Sequence, residues 1–227
     1  MSNLRRYGLD DITPVVKNLI LLNLAVAAFT FFYPTITLLF ANHYPTSPYF
    51  GQWQIVTSIF THFGFAHLFF NMFSLYMFGG LLEKSIGANR FVFLYLSCGI
   101  FSGLFCWIID AITVYNITGH LALHIEDINN NAKLYSIFVS HSAGASGAIF
   151  GVMAAFAYLF PNTYMMGLFL PIPIKAKIMV PLMIAFSYFA ILRGQQDGIG
   201  HLAHIGGAIF GFLLVLFWNK TNKTDFY

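Results

Sequence analysis

The sequence predicts an all-α protein that crosses a membrane six times as one domain over residues 1–227. Three observations predict it. The chain is 58% hydrophobic and only 8% charged, against roughly a quarter charged in soluble domains, so most of its surface must face something other than water. Six apolar segments approach the roughly 17–25 residues that a helix needs to cross a bilayer core. Lysine and arginine also alternate between rich and poor from one connecting segment to the next, as the two sides of a membrane require.

The first segment, Leu19–Phe40, contains Pro34, which removes a backbone donor and clashes with the preceding turn, so its helix is expected to end near Tyr33. It follows a polar start and has no small-residue cleavage site, so it reads as a span rather than a signal peptide. The second segment is Phe63–Leu82 and the third Phe91–Ile109. The third holds both cysteines, Cys98 and Cys106, read as buried free thiols because their spacing fits neither a disulfide framework nor a metal site. The fourth is Ala143–Phe160. Tyr164–Ile174 ("YMMGLFLPIPI") is apolar but broken by prolines, and is expected to be an interfacial loop. Ile178–Leu192 is the shortest segment and contains Pro181; Leu202–Trp218 is the sixth. Of the connections, residues 41–57 carry Trp53 and tyrosines, side chains suited to a membrane interface. Residues 110–142 are polar and rich in Asn and His, and are expected to be exposed. His43, His120 and His124 are expected to be solvated.

Orientation follows from the cations. Arg5, Arg6 and Lys17 precede the first segment; Lys84 and Arg90 separate the second and third; Lys175 and Lys177 separate the fourth and fifth; Lys220 and Lys223 follow the sixth. The opposite connections hold only Lys133 and Arg193. This bias places both termini in the cytoplasm. The net charge of +3 is small and points to neither nucleic acid nor an acidic partner.

Polar side chains at membrane depth cost free energy and are functional suspects. In this orientation the second, fourth and sixth helices all run inward from the outside. His67, Asn71, Ser146, His201 and His204 therefore share one zone in the outer leaflet. His67 and Asn71 are four apart and lie on one face. Gly147, Gly151 and Ala155 form one stripe of small residues, and Ala203, Gly207 and Gly211 another. Such stripes let membrane helices approach closely, which would bring the Ser146 helix against the His204 helix. A serine hydroxyl is a weak nucleophile until a base takes its proton, and His204 is the candidate base for Ser146. Donors for an oxyanion are the Asn71 amide, a ring N–H of His67 and the backbone N–H of Ser146. Asp197 precedes His204 by two helical turns and is expected near the outer surface, so the chemistry reads as a Ser–His dyad.

These stretches carry a resemblance. "GASG" at Gly144–Gly147, "AHIGGAIFG" at Ala203–Gly211, "HLFFN" at His67–Asn71 and "GGLLEKSIG" at Gly79–Gly87 look like the rhomboid family of intramembrane serine proteases. The serine motif differs from the G-x-S-x-G elbow of soluble hydrolases, because its second glycine directly follows the serine. The resemblance implies a six-helix rhomboid-like bundle, a serine endopeptidase that cleaves single-pass membrane proteins in or near their transmembrane segment, and no cofactor or metal. It implies Ser146 as nucleophile, His204 as general base, and Asn71 and His67 in the oxyanion region. It also implies a multi-pass protein in lipid, expected in a bacterial inner (plasma) membrane. Phe150 falls where many relatives have a tyrosine packed on the catalytic histidine, so a ring is kept and its hydroxyl lost. Trp53-Gln54 stands where the family often has Trp-Arg, which bears on how the first loop is anchored.

Plainer roles stand beside these. Ser146 can serve only as a small packing residue, His204 as a core histidine bonded to a carbonyl, and Asn71 as interhelical glue. His62 and His201 read as structural or near the entrance, His141 as a rim residue of a cavity, and Glu83 as a hydrogen-bonding residue at the inner end of the second helix. Two readings come from other classes. One is a proteolytically inactive rhomboid-like factor that binds membrane clients. The other is a metal transporter or zinc site on His67, His201 and His204, against which stand the lack of an acidic ligand at that depth and of H-E-x-x-H.

Overall fold

The computed structural model describes residues 12–129, 131–166, 172–194 and 199–221. Arg5, Arg6, Asp197 and Lys223, used in the sequence reading, lie outside the described residues.

Helix α1 spans Pro14–Phe32. Pro14 opens it at a position where a missing N–H costs nothing. Pro34 opens a separate short helix, α2 (Pro34–Phe40), so the expected first span is two helices broken at Tyr33. Strand β1 (Asn42–His43) and helix α3 (Gln54–Thr57) follow, then one 3₁₀ turn over Ser58–Phe60. Helix α4 (Phe65–Ile86) carries Glu83 near its C-terminal end. The Glu83 carboxylate accepts hydrogen bonds from the Thr13 hydroxyl, from Val15 N–H at 3.1 Å and from Val16 N–H at 2.9 Å. It thereby caps the start of α1, where amide donors lack helical partners and negative charge is favoured. This is the kind of bond expected of Glu83.

Gly87 joins α4 directly to α5 (Ala88–Thr118). Its φ of 86° is a conformation glycine adopts without steric penalty, and its N–H donates to Glu83 O at 2.9 Å. Helix α5 therefore runs well past the expected end at Ile109. The segment expected to be a solvated excursion is largely helical. Beyond α5 it forms α6 (Ile125–Ile128) and α7 (Ala132–Val139). Leu123, Leu134 and Ile137 there pack with Val114 and Tyr44 into a small second core. His120 and His124 are exposed as expected, but His43 is only 3% exposed. Strand β2 (His141–Ser142) pairs antiparallel with β1, His43 opposite His141. That pairing explains the burial, which also pushes the His43 imidazole below its usual pKa.

Helix α8 (Ser146–Leu159) begins at the serine itself, and every residue from Gly147 to Phe156 is buried. Strands β3 (Tyr164–Met166) and β4 (Pro173–Lys175) pair antiparallel within the segment expected to be an interfacial loop, of which residues 167–171 lie outside the described residues. Helix α9 (Ala176–Leu192) runs through Pro181, and α10 (His201–Thr221) completes the described chain. Among the described residues, α1, α4, α5 and α10 are long and apolar enough to cross a membrane, and α8 and α9 are shorter apolar helices. The main core gathers α4, α5 and α8 around Phe91, Leu94, Tyr95, Val152 and Phe156. A helix of 14 residues spans about 21 Å, short of a hydrocarbon core of about 30 Å. With every residue from Gly147 to Phe156 buried, α8 packs against protein along most of its length. Cys98 is buried, but Cys106 is only partly so; both are free thiols.

Candidate active site

The two small-residue stripes meet. A Cβ built on Gly207 would lie 1.9 Å from Gly147 O, and one on Gly211 would lie 2.4 Å from Gly151 O. In return, a Cβ on Gly151 would come within 2.9 Å of Gly207 O, and one on Gly147 within 3.4 Å of Ala203 O. Helices α8 and α10 thus touch backbone to backbone. The stripe on α8 also serves α5, which the sequence reading missed: Cβ atoms on Gly147 and Gly151 would lie 2.2 Å from Ser102 Oγ and 2.4 Å from Cys98 Sγ.

This contact sets the level of His204. Its ring stacks on Phe150 with centroids 4.1 Å apart and planes 5° from parallel. Phe150 lies one turn beyond Ser146 on the same face of α8. The serine therefore stands at the start of the helix face that the imidazole covers. Ser146 is partly exposed, while His204 is 8% exposed. The parallel stack needs only a ring, so the missing tyrosine hydroxyl at Phe150 removes no part of it. At Nδ1, His204 is 3.3 Å from Ser187 Oγ on α9. Sequence reasoning did not single out Ser187; its one signal is a hydroxyl within an apolar run.

Helix α4 supplies the third side. Gly144 has φ 132°, a backbone state that L side chains rarely adopt. A Cβ there would lie 2.7 Å from His67 Nε2 and 3.8 Å from Asn71 Nδ2. The chain just before Ser146 thus runs directly over His67 and Asn71, pinned by Gly144 N–H donating to Ser58 O at 2.8 Å. Asn71 is 6% exposed, and its Nδ2 has no hydrogen-bond partner among the described residues. A buried amide donor left unpaired is costly, which marks it as poised for a ligand acceptor. The first-turn amides of α8 point toward the same end of the helix and have no helical partners.

The remaining candidates fall around this centre. His62 is 6% exposed, and its ring meets His67 edge-on at 5.1 Å. Burial, then the neighbouring His67, push the His62 pKa down to about 4, against a raising bond to Phe60 O. His201 is 5% exposed and lies edge-on to His204 at 5.9 Å and to Phe186 at 6.1 Å. His141 is exposed, with its ring 5.5 Å from His43 and 5.2 Å from Phe63. A cavity of about 450 Å³ opens beside His204, lined by Phe150, Met183, Phe186, Ser187 and His201. Among the described residues, no three His, Cys, Asp or Glu side chains are arranged to hold a metal ion. The first loop is firmly anchored: Gln54 is fully buried, its Nε2 donates to Leu39 O at 3.1 Å and Tyr49 O at 2.8 Å, and its Oε1 accepts from His43 N–H at 3.3 Å.

The site is thus a glycine-built contact between a serine helix and a histidine helix, with a buried amide beside it. Residues 50–220 match the family model described as the Rhomboid domain, and the chain belongs to the rhomboid family. It is 28% identical to Rhomboid protease AarA of Providencia stuartii over 226 residues, covering 92% of this chain and 73% of that protein. It is 32% identical to the mitochondrial Rhomboid protein 1 of Saccharomyces cerevisiae over 163 residues, covering 70% of this chain and 40% of that one. It is 32% identical to Rhomboid protease GluP of Bacillus subtilis over 161 residues, covering 70% of this chain and 25% of GluP. The chain thus spans well under half the length of the last two. Family and composition together make it an integral membrane protein.

Proposed function

We propose that this chain is a serine endopeptidase that cleaves single-pass membrane proteins in or near their transmembrane segment. The observation that carries the reading is the His204 ring stacked on Phe150, one turn from Ser146, across a contact that only glycines permit. Its bundle crosses the membrane six times, α8 and α9 adding to the four longer spans, with both termini in the cytoplasm as the Lys and Arg distribution favours. The reading takes a bacterial plasma membrane, as for a relative of the bacterial AarA and GluP, beside which stands the mitochondrial Rhomboid protein 1.

In this reading Ser146 Oγ attacks the scissile carbonyl carbon while His204 Nε2 takes its proton. The carbonyl electron pair moves onto oxygen. Asn71 Nδ2, His67 and the Ser146 backbone N–H donate hydrogen bonds to that oxyanion. As the C–N bond breaks, the imidazolium returns the proton to the leaving amine. Water then attacks the acyl-enzyme, giving its proton to Nε2, which restores it to Ser146 Oγ as the carboxyl product departs. His201 and His141 take no proton in this scheme.

Reconstituted protein should cleave a model single-pass substrate and take up a fluorophosphonate label. Ser146→Ala and His204→Ala should abolish cleavage, and Ser146→Ala should abolish labelling. Cleavage that persists in both variants would assign the reaction to other residues. A folded parent that neither cleaves nor labels would favour an inactive client-binding relative.

A further inference from the structure

The imidazole of a Ser–His dyad must satisfy two conditions: its Nε2 must lack a proton before attack, and its ring must not rotate. In a triad a carboxylate meets both by holding Nδ1–H. Here the atom beside Nδ1 is the hydroxyl oxygen of Ser187, 3.3 Å away, on a side chain 2% exposed. The ring is held face-on by Phe150, so its plane is fixed and the Ser187 contact selects which ring edge faces α9. We propose that Ser187 is the positioning residue of His204: its Oγ accepts the Nδ1–H, which keeps Nε2 unprotonated and turned toward Ser146. This rests on the protease reading above.

A neutral hydroxyl suits this setting. A carboxylate at membrane depth would itself have to be desolvated, whereas serine adds an acceptor without a charge. When His204 takes the proton of Ser146, its Nδ1–H becomes a charge-assisted donor, and such bonds are roughly twice as strong as neutral ones. The contact therefore tightens as the reaction proceeds.

The test compares cleavage kinetics of the parent with Ser187→Ala, and of Ser187→Thr with Ser187→Val, two variants of matched shape that differ in the hydroxyl. A neutral hydrogen bond of this kind corresponds to about tenfold in rate. Ser187→Ala should lower kcat by that factor with KM unchanged, and Ser187→Thr should exceed Ser187→Val by a similar factor. Independently of activity, ¹⁵N-histidine spectra in the Ser146→Ala background, assigned by difference with His204→Ala, should report Nδ1–H for His204 and a mixed or Nε2–H tautomer once Ser187→Ala is added. Equal kcat in Ser187→Ala and parent overturns the proposal, as does a His204 tautomer unchanged by Ser187→Ala. A parent that cleaves nothing overturns the protease reading instead.

Discussion

Gly207→Ala places one methyl group where the two helices touch. Its Cβ would lie 1.9 Å from Gly147 O, a backbone atom that no rotamer change can move aside. To bring that contact out to 3.4 Å the helices must part by about 1.5 Å. His204 lies three residues before Gly207, and Ser146 directly precedes Gly147, so the gap opens at the proposed reacting pair. A misplacement of about 1 Å can cost about 10²-fold in rate, and kcat should fall at least that far. Overpacking of this kind costs about 1–3 kcal/mol of stability, so the folded variant remains measurable at low temperature. Gly80→Ala is the control, because a Cβ there meets nothing within 4 Å. The assay is cleavage of a single-pass substrate in proteoliposomes, with thermal unfolding followed in parallel. Gly207→Ala turning over within about threefold of the parent would sink the idea that the glycine contact sets the catalytic distance.

Asn71→Ala removes the unpaired buried amide and should lower kcat by about 10²–10³ with little change in KM; single-turnover rates at saturating substrate check it, and an unchanged rate would remove Asn71 from the oxyanion site. Glu83→Ala uncaps α1 and should lower stability by about 2 kcal/mol, read as a lower unfolding midpoint, while cleavage at low temperature stays near the parent rate. For His62, the unfolded chain takes up a proton near pH 6.5 that the folded chain resists until about 4. Its contribution is therefore intact above 6.5 and declines as pH falls toward 4, by about 3 kcal/mol in all. His62→Gln should lose less stability than the parent over that range, and parallel pH–stability curves would contradict the assignment.

Hydropathy reads contact with lipid, and it failed where a boundary depends on something else. Helix α1 begins at Pro14, a local start signal that hydropathy does not weigh, and its first amides are capped by Glu83, far away in sequence. Helix α5 passes Asp110 and continues to Thr118, since a single acid ends an apolar run but not a helix. Leu123, Leu134 and Ile137 sit among polar neighbours, which lowers their average hydropathy, although each is buried. His43 looked like a solvated loop residue because its cover, the strand at His141–Ser142, comes almost a hundred residues later. That His67 and Asn71 lie beside the start of the Ser146 helix, and His204 against Phe150 on it, was legible from the position each polar residue holds along its apolar segment. Ser187 was not, because facing His204 depends on the rotation of α9, and one serine in an apolar helix carries no phase.

The two positions at which the chain departs from the pattern that the resemblance implies keep their contacts in different ways. At Phe150 the structure uses the face of a ring, and the lost hydroxyl is not part of that contact. At Gln54 the matter is different, because the amide both donates and accepts. Its Nε2 binds the carbonyls of Leu39 and Tyr49, while its Oε1 takes the N–H of His43. An arginine has five donors and no acceptor, so at this position it would satisfy the two carbonyls and leave the His43 N–H, in a side of the loop that is buried, without its present partner. The glutamine is thus fitted to a loop whose β1 strand turns an amide inward. The chain can dispense with the common arginine because its own backbone here presents a donor as well as acceptors.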